Sequence, residues 1–109
     1  MVYDQDLAER VRDALALRAD LVERKMFGGI AFMLGGNMAC GVLEDELIVR
    51  TGPDEYERAL AEPHTRPFDS TGRPMKGFLV VWADGISVDD SLAAWVEVGA
   101  DFAASLPPK

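Results

Sequence analysis

The sequence predicts an α+β domain: an antiparallel sheet, made of a three-stranded meander plus one or two later strands, packed by N-terminal, short middle and C-terminal helices in the order α-β-β-β-α-β-β-α. Three observations carry this reading. Between Ile30 and Val49, three short apolar runs are separated by turn residues. On both flanks the apolar residues recur instead at spacings of three and four. The chain has 109 residues, 49% of them hydrophobic and 28% charged, which suits one globular domain spanning residues 1–109 with its own core.

From Asp4 to Ala16 the residues Leu7, Val11, Ala14 and Leu15 fall on one helical face, with Glu9, Arg10, Arg12 and Asp13 turned away. Asp4 or Asp6 is placed to cap this helix, and Leu21 and Val22 lead into the sheet. Gly28 and Gly29 interrupt an otherwise continuous apolar stretch. Glycine there permits a positive φ or a close backbone approach, and beside Arg24 and Lys25 two glycines would also suit an anion-binding concavity of backbone N–H groups. The meander then runs through Ile30 to Leu34, Met38 to Leu43 and Leu47 to Val49, with turns at Gly35-Gly36-Asn37 and Glu44-Asp45.

Pro53 opens the short middle helix, whose inward side is Tyr56, Ala59 and Leu60, and Pro63 closes it. Glu62 to Gly77 reads as a long connection. It carries three prolines, the sole histidine and three of the eleven cationic side chains, and long connections in small domains often carry function. Phe78 to Trp82 is fully apolar, hence a strand that is buried on both sides or central in the sheet. The closing helix runs from near Asp89 to Leu106 with Leu92, Trp95, Val96, Gly99, Phe102, Ala103 and Leu106 on one face. Ser87, Asp89 and Asp90 compete to cap it.

The net charge of −8 argues against a general role in coating DNA or anionic membrane. Its distribution is uneven: residues 24–76 hold seven basic and eight acidic side chains, while the flanks hold four basic and eleven acidic. The N-terminus lacks the basic region and apolar core of a signal peptide, and no apolar run reaches the length of a membrane span. With one cysteine there is no internal disulfide, which points to a reducing cytoplasm, and with one histidine no metal site or cofactor is expected.

Two residues carry potential chemistry. Cys40 sits within an apolar strand, where a buried inert thiol is expected. His64 stands between Pro63 and Pro67, a poorly fixed place for a general base. No nucleophile, base and orienting group stand out together, so no catalytic residue is assigned. A candidate ligand surface is Arg24, Lys25, Arg50, His64, Arg66 and Arg73, which would let the basic 62–77 loop serve a small anionic-ligand binder or an enzyme. The expected partner is another protein or a second copy, as a homodimer. The aromatic residues follow the core pattern rather than lying among cations, so direct nucleic-acid binding is not expected.

Lys25-Met26-Phe27-Gly28-Gly29 followed by an apolar strand, then Gly36-Asn37-Met38 and Asp45-Glu46-Leu47-Ile48-Val49-Arg50, resembles the N-terminal domain of the TfoX/Sxy family, named for bacterial competence regulators. Phe68, the strand at Phe78 to Val81 and the helix carrying Trp95 extend the likeness to about Ala103. The resemblance implies a secretion-chaperone-like α+β fold and a regulatory role without an established catalytic motif. The family's full-length regulators promote transcription of DNA-uptake genes together with the cyclic-AMP receptor protein, and they carry a C-terminal domain. The sequence ends at Lys109, so a stand-alone N-terminal-like domain is expected.

Overall fold

The computed structural model describes residues 3–26, 28–69 and 74–108. Its helices are α1 (Gln5–Ala14), α2 (Tyr56–Leu60) and α3 (Asp89–Ser105), and its strands are β1 (Leu21–Met26), β2 (Gly29–Leu34), β3 (Asn37–Leu43), β4 (Glu46–Arg50), β5 (Thr65–Asp69) and β6 (Pro74–Val81). The strands form one antiparallel sheet in the order β1-β2-β3-β4-β6-β5. The meander is β2-β3-β4, as the apolar runs require, and β6 is central, between β4 and β5.

The expected order already allows two strands between α2 and α3, so β1 alone exceeds it, while β5 occupies a stretch where the sequence places no strand. β1 precedes the meander, and β5 lies inside the stretch that reads as a long connection. Both are edge strands. In β1 only Leu21 and Met26, at the ends, are even half-buried, so Glu23-Arg24-Lys25 shows none of the alternation that marks a half-covered strand. β5 contains Pro67, and a register shift between Pro67 and Asp69 breaks its pairing with β6. The Gly28-Gly29 pair serves the β1–β2 hairpin: Gly28 has φ 75°, and Gly29 has no room for a side chain against the carbonyl of Val42 on β3. Phe27 lies outside the described residues.

Alternation along the inner strands sorts the sheet into two faces. Phe32, Leu34, Cys40, Val42, Leu47, Val49, Leu79 and Val81 join Leu7, Val11 and Leu15 of α1 and Leu92, Val96, Ala100 and Ala103 of α3 in the main core. Ile48, Val80 and Phe68 form a smaller cluster with Met38, Leu43 and Phe78. Helix α3 lies against β3 so closely that a side-chain carbon on Gly99 would collide with the carbonyl of Ala39. That is why a glycine stands in the middle of a helix, where it costs about 1 kcal/mol relative to alanine.

The helix ends follow their sequence signals unevenly. Asp4 caps α1 by accepting from the Leu7 N–H at 3.1 Å. Ala14 faces solvent, and Ala8 takes the buried place instead. The N-cap of α3 is Val88, without a side-chain cap bond. None of Ser87, Asp89 and Asp90 caps α3; Asp89 instead accepts from Arg10, whose guanidinium also donates to the Ile86 carbonyl at 2.8 Å and ties α1 to the start of α3. Among the described residues, no helix is long and apolar enough to cross a membrane.

Candidate functional site

An open groove of about 730 Å³ runs between α2, the turn after it, the short 3₁₀ turn at Ala83–Gly85 and α3. Ala59, Pro63, Ala94, Trp95 and Val98 give it an apolar wall, and Glu55, Arg58, Glu62, His64 and Asp84 supply the ionisable groups. Arg58 is already tied to Glu55, the residue immediately before α2. Three carboxylates against one paired guanidinium make this groove acidic, the opposite of what an anionic ligand needs.

His64 is held more firmly than its place between two prolines suggests. Its carbonyl accepts from the Trp82 N–H at 3.0 Å, and its ring stands edge-on to the Trp82 indole with centroids 5.9 Å apart. Its φ of 67° is left-handed, a region that histidine tolerates better than most residues but that still costs of order 1 kcal/mol. The position persists because Gly85 leaves space: a side-chain carbon there would sit 2.9 Å from His64 Cβ and 2.6 Å from Val81 Cγ1. The β5–β6 pairing fixes what the sequence presents as loop. No side-chain hydrogen bond among the described residues joins His64 to Ser91 or to the groove carboxylates Glu55, Glu62 and Asp84, from which a relay of nucleophile, base and orienting acid would be built.

The other candidate ligand residues do not gather around it. Arg24 and Lys25 are exposed on β1 at one edge of the sheet, and Arg66 is exposed on β5 at the other. Arg24 and Arg66 share one cross-sheet row, through Ala31, Gly41, Ile48 and Val80, but five inter-strand steps separate them by roughly 24 Å. Arg66 makes a two-pronged contact with Glu46 at 2.6 and 2.9 Å, so its charge is already met. Arg50 is half-buried at the end of β4, its guanidinium 5.3 Å from the ring centre of Phe78 and 5.2 Å from that of Phe102. Arg73 lies outside the described residues.

Cys40 is fully buried in the main core, and burial pushes its thiol up to about 12. At neutral pH such a group carries almost no thiolate, and the strand placement expected from sequence holds. Among the described residues, no group of three or more His, Cys, Asp and Glu side chains is arranged to hold a metal ion.

Sequence reasoning missed the groove itself, although its signal is present. Helix α3 has more apolar residues than one core stripe needs: beyond Leu92, Val96, Ala100 and Ala103, it carries Ala94, Trp95 and Val98 on a neighbouring strip. Trp95 reads as core but is half-buried on the groove wall, and Val98 is 36% exposed. A helix with a second apolar strip has a second surface to meet.

A one-layer antiparallel sheet with an acid-rimmed apolar groove between two of its helices defines an α+β domain. The TfoX N-terminal domain model matches residues 13–103, which is most of the chain, and the chain belongs to that family. No curated protein and no solved structure matches it.

Proposed function

We propose that this chain is a non-enzymatic, cytoplasmic regulatory module that acts through protein–protein contacts and works as a homodimer, in the manner of the competence regulators for which its family is named. The observation that carries this reading is the groove between α2 and α3. Its apolar wall of Ala94, Trp95 and Val98 stands beside ionisable rim residues, the anatomy of a contact surface with a desolvated centre and a polar rim. Its acidic balance suits a partner surface that presents cations around an apolar patch. The dispersed placement of Arg24, Arg50 and Arg66, each on a different strand, favours this reading over an anionic small molecule bound by the 62–77 segment.

The test is a photo-crosslinking side chain placed at Val98 and, as a control, at the exposed Asp13 of α1. A discrete adduct in cells at Val98, absent at Asp13 and abolished by Ala94→Asp, is the expected result. Equal, diffuse labelling at both positions overturns the groove as a protein-binding surface.

A further inference from the structure

The two edges of the sheet differ in whether they accept another strand. An edge strand presents a row of backbone N–H and C=O groups without partners on its outer side. At β5 this row is broken: Pro67 has no N–H, and the register slips between Pro67 and Asp69. β1 contains no proline and stays in register with β2 through six successive pairs, from Leu21↔Leu34 to Met26↔Gly29. Its middle residues are exposed on both faces, and Val22, at 56%, is a bare aliphatic side chain on the edge.

Resting on the homodimer clause of the proposed function, we propose that two copies of this chain pair through β1, antiparallel about a two-fold axis at Arg24, so that their sheets join edge to edge. The charges select this occupant and this register. Glu23-Arg24-Lys25 repels an arbitrary apolar strand and admits one whose charges match. A two-fold axis normal to the sheet keeps each face on its own side, so only residues of the same face meet. Centred on Glu23, the pairing would set Glu23 against itself and Lys25 against Leu21. Centred on Lys25, it would set Lys25 against itself and Arg24 against Met26. Centred on Arg24, it sets Glu23 against Lys25 twice and Val22 against Met26 twice, with one like-charged contact at the axis. Opposite charges and apolar pairs directly across a ladder each stabilise it, and the single Arg24 contact opposes them once.

The surroundings of Glu23 agree with this register. Glu23 pairs with Phe32 and Lys25 with Ile30, so both lie on the helix-covered face, where Glu23 accepts from Arg12 Nε at 2.5 Å and Nη2 at 2.8 Å. Glu9 lies near enough to Arg12 to favour its charged form. A lysine arriving from the second copy would complete a row of alternating sign: Glu9, Arg12, Glu23, Lys25.

One six-residue strand from each copy makes a small interface, so the dimer is weak, with a dissociation constant on the order of 10 µM or above. Sedimentation equilibrium from about 1 to about 300 µM at low salt tests it, with circular dichroism melts confirming that each variant folds. The expected result is a wild-type dimer that Lys25→Glu and Glu23→Lys each weaken at least about tenfold, and that an equimolar mixture of the two variants restores. The mixture places opposite charges at both pairs although neither variant can do so alone. Wild type that stays monomeric over this range overturns both the homodimer clause and this surface. A dimer that Lys25→Glu changes less than about twofold, or a mixture that fails to recover, overturns the surface and leaves the homodimer clause standing; the crosslinks at Val98 are independent of either result.

Discussion

The inner strands β2, β3, β4 and β6 and the edge strands β1 and β5 belong to one sheet but obey different constraints. Each inner strand is hydrogen-bonded on both sides, and its face toward the helices is dry: Phe32, Cys40, Leu47, Val49, Leu79 and Val81 have no measurable exposure. The edge strands have one paired side, and most of their side chains face water. Burial leaves the inner strands little choice of residue, whereas the edges are free to carry charge, proline and irregular register. In this molecule the buried inner strands hold the fold, and the edges and the groove face solvent.

The largest expected effect tests the dry side of that contrast. Phe32→Ala removes a ring from the centre of the helix-side core and is expected to cost about 3–5 kcal/mol, a large part of a small domain's total stability, read as a fall in the denaturant midpoint. A loss below about 1 kcal/mol would mean that the centre is no better packed than the edges. Gly99→Val tests whether α3 is pressed onto β3 as closely as the Ala39 carbonyl requires. It should cost about 1–3 kcal/mol or more, because the backbones must separate to admit the side chain.

Cys40 sharpens the same comparison kinetically. With its thiol fully buried and pushed up to about 12, it should react with a thiol reagent at least about a thousandfold more slowly in the native protein than in denaturant. Rapid native labelling would show that the middle of β3 opens as readily as an edge.

The smallest effect belongs to the edge itself. The Glu23 carboxyl lies below its ordinary value, chiefly through its hydrogen bond with Arg12, with burial acting in the opposite sense. Since the folded state lowers this pKa, the pair adds stability above the unfolded carboxyl value of about 4.3 and loses it as pH falls through the lower folded value. The pair is solvent-exposed, so its contribution stays below about 1 kcal/mol. Glu23→Gln is therefore expected to lower the melting temperature slightly at neutral pH, an effect that shrinks as the pH falls below the unfolded carboxyl value, measured on dilute, monomeric protein.

Legibility in the sequence followed this division. The meander, the central strand ending at Val81 and the inward faces of α1 and α3 are readable because burial writes period-two and three-to-four patterns into the residues. β1 is unreadable because an edge strand exposed on both faces has no apolar alternation to show, and β5 because Phe68 is its one buried residue and its proline actively suggests a loop. The dispersal of the cations follows from the same omission: without β1 and β5 there is no way to see that Arg24 and Arg66 stand on opposite edges. The groove was half-written. Ala94, Trp95 and Val98 announce a second apolar strip on α3, but its neighbour α2 comes from a distant part of the chain.

By itself the sequence determined the α+β class, the order of the buried elements, the inert setting of Cys40 and the kinship carried by Lys25-Met26-Phe27-Gly28-Gly29 and the strands that follow, since each depends on residues close together along the chain. Only the tertiary structure decided which strands form the edges, that His64 is pinned in a left-handed conformation by Trp82 and Gly85, and that α2 and α3 enclose a groove. The reason is physical: local pattern records whether a side chain is buried, while strand order and shared surfaces arise from pairing between segments that the pattern does not link.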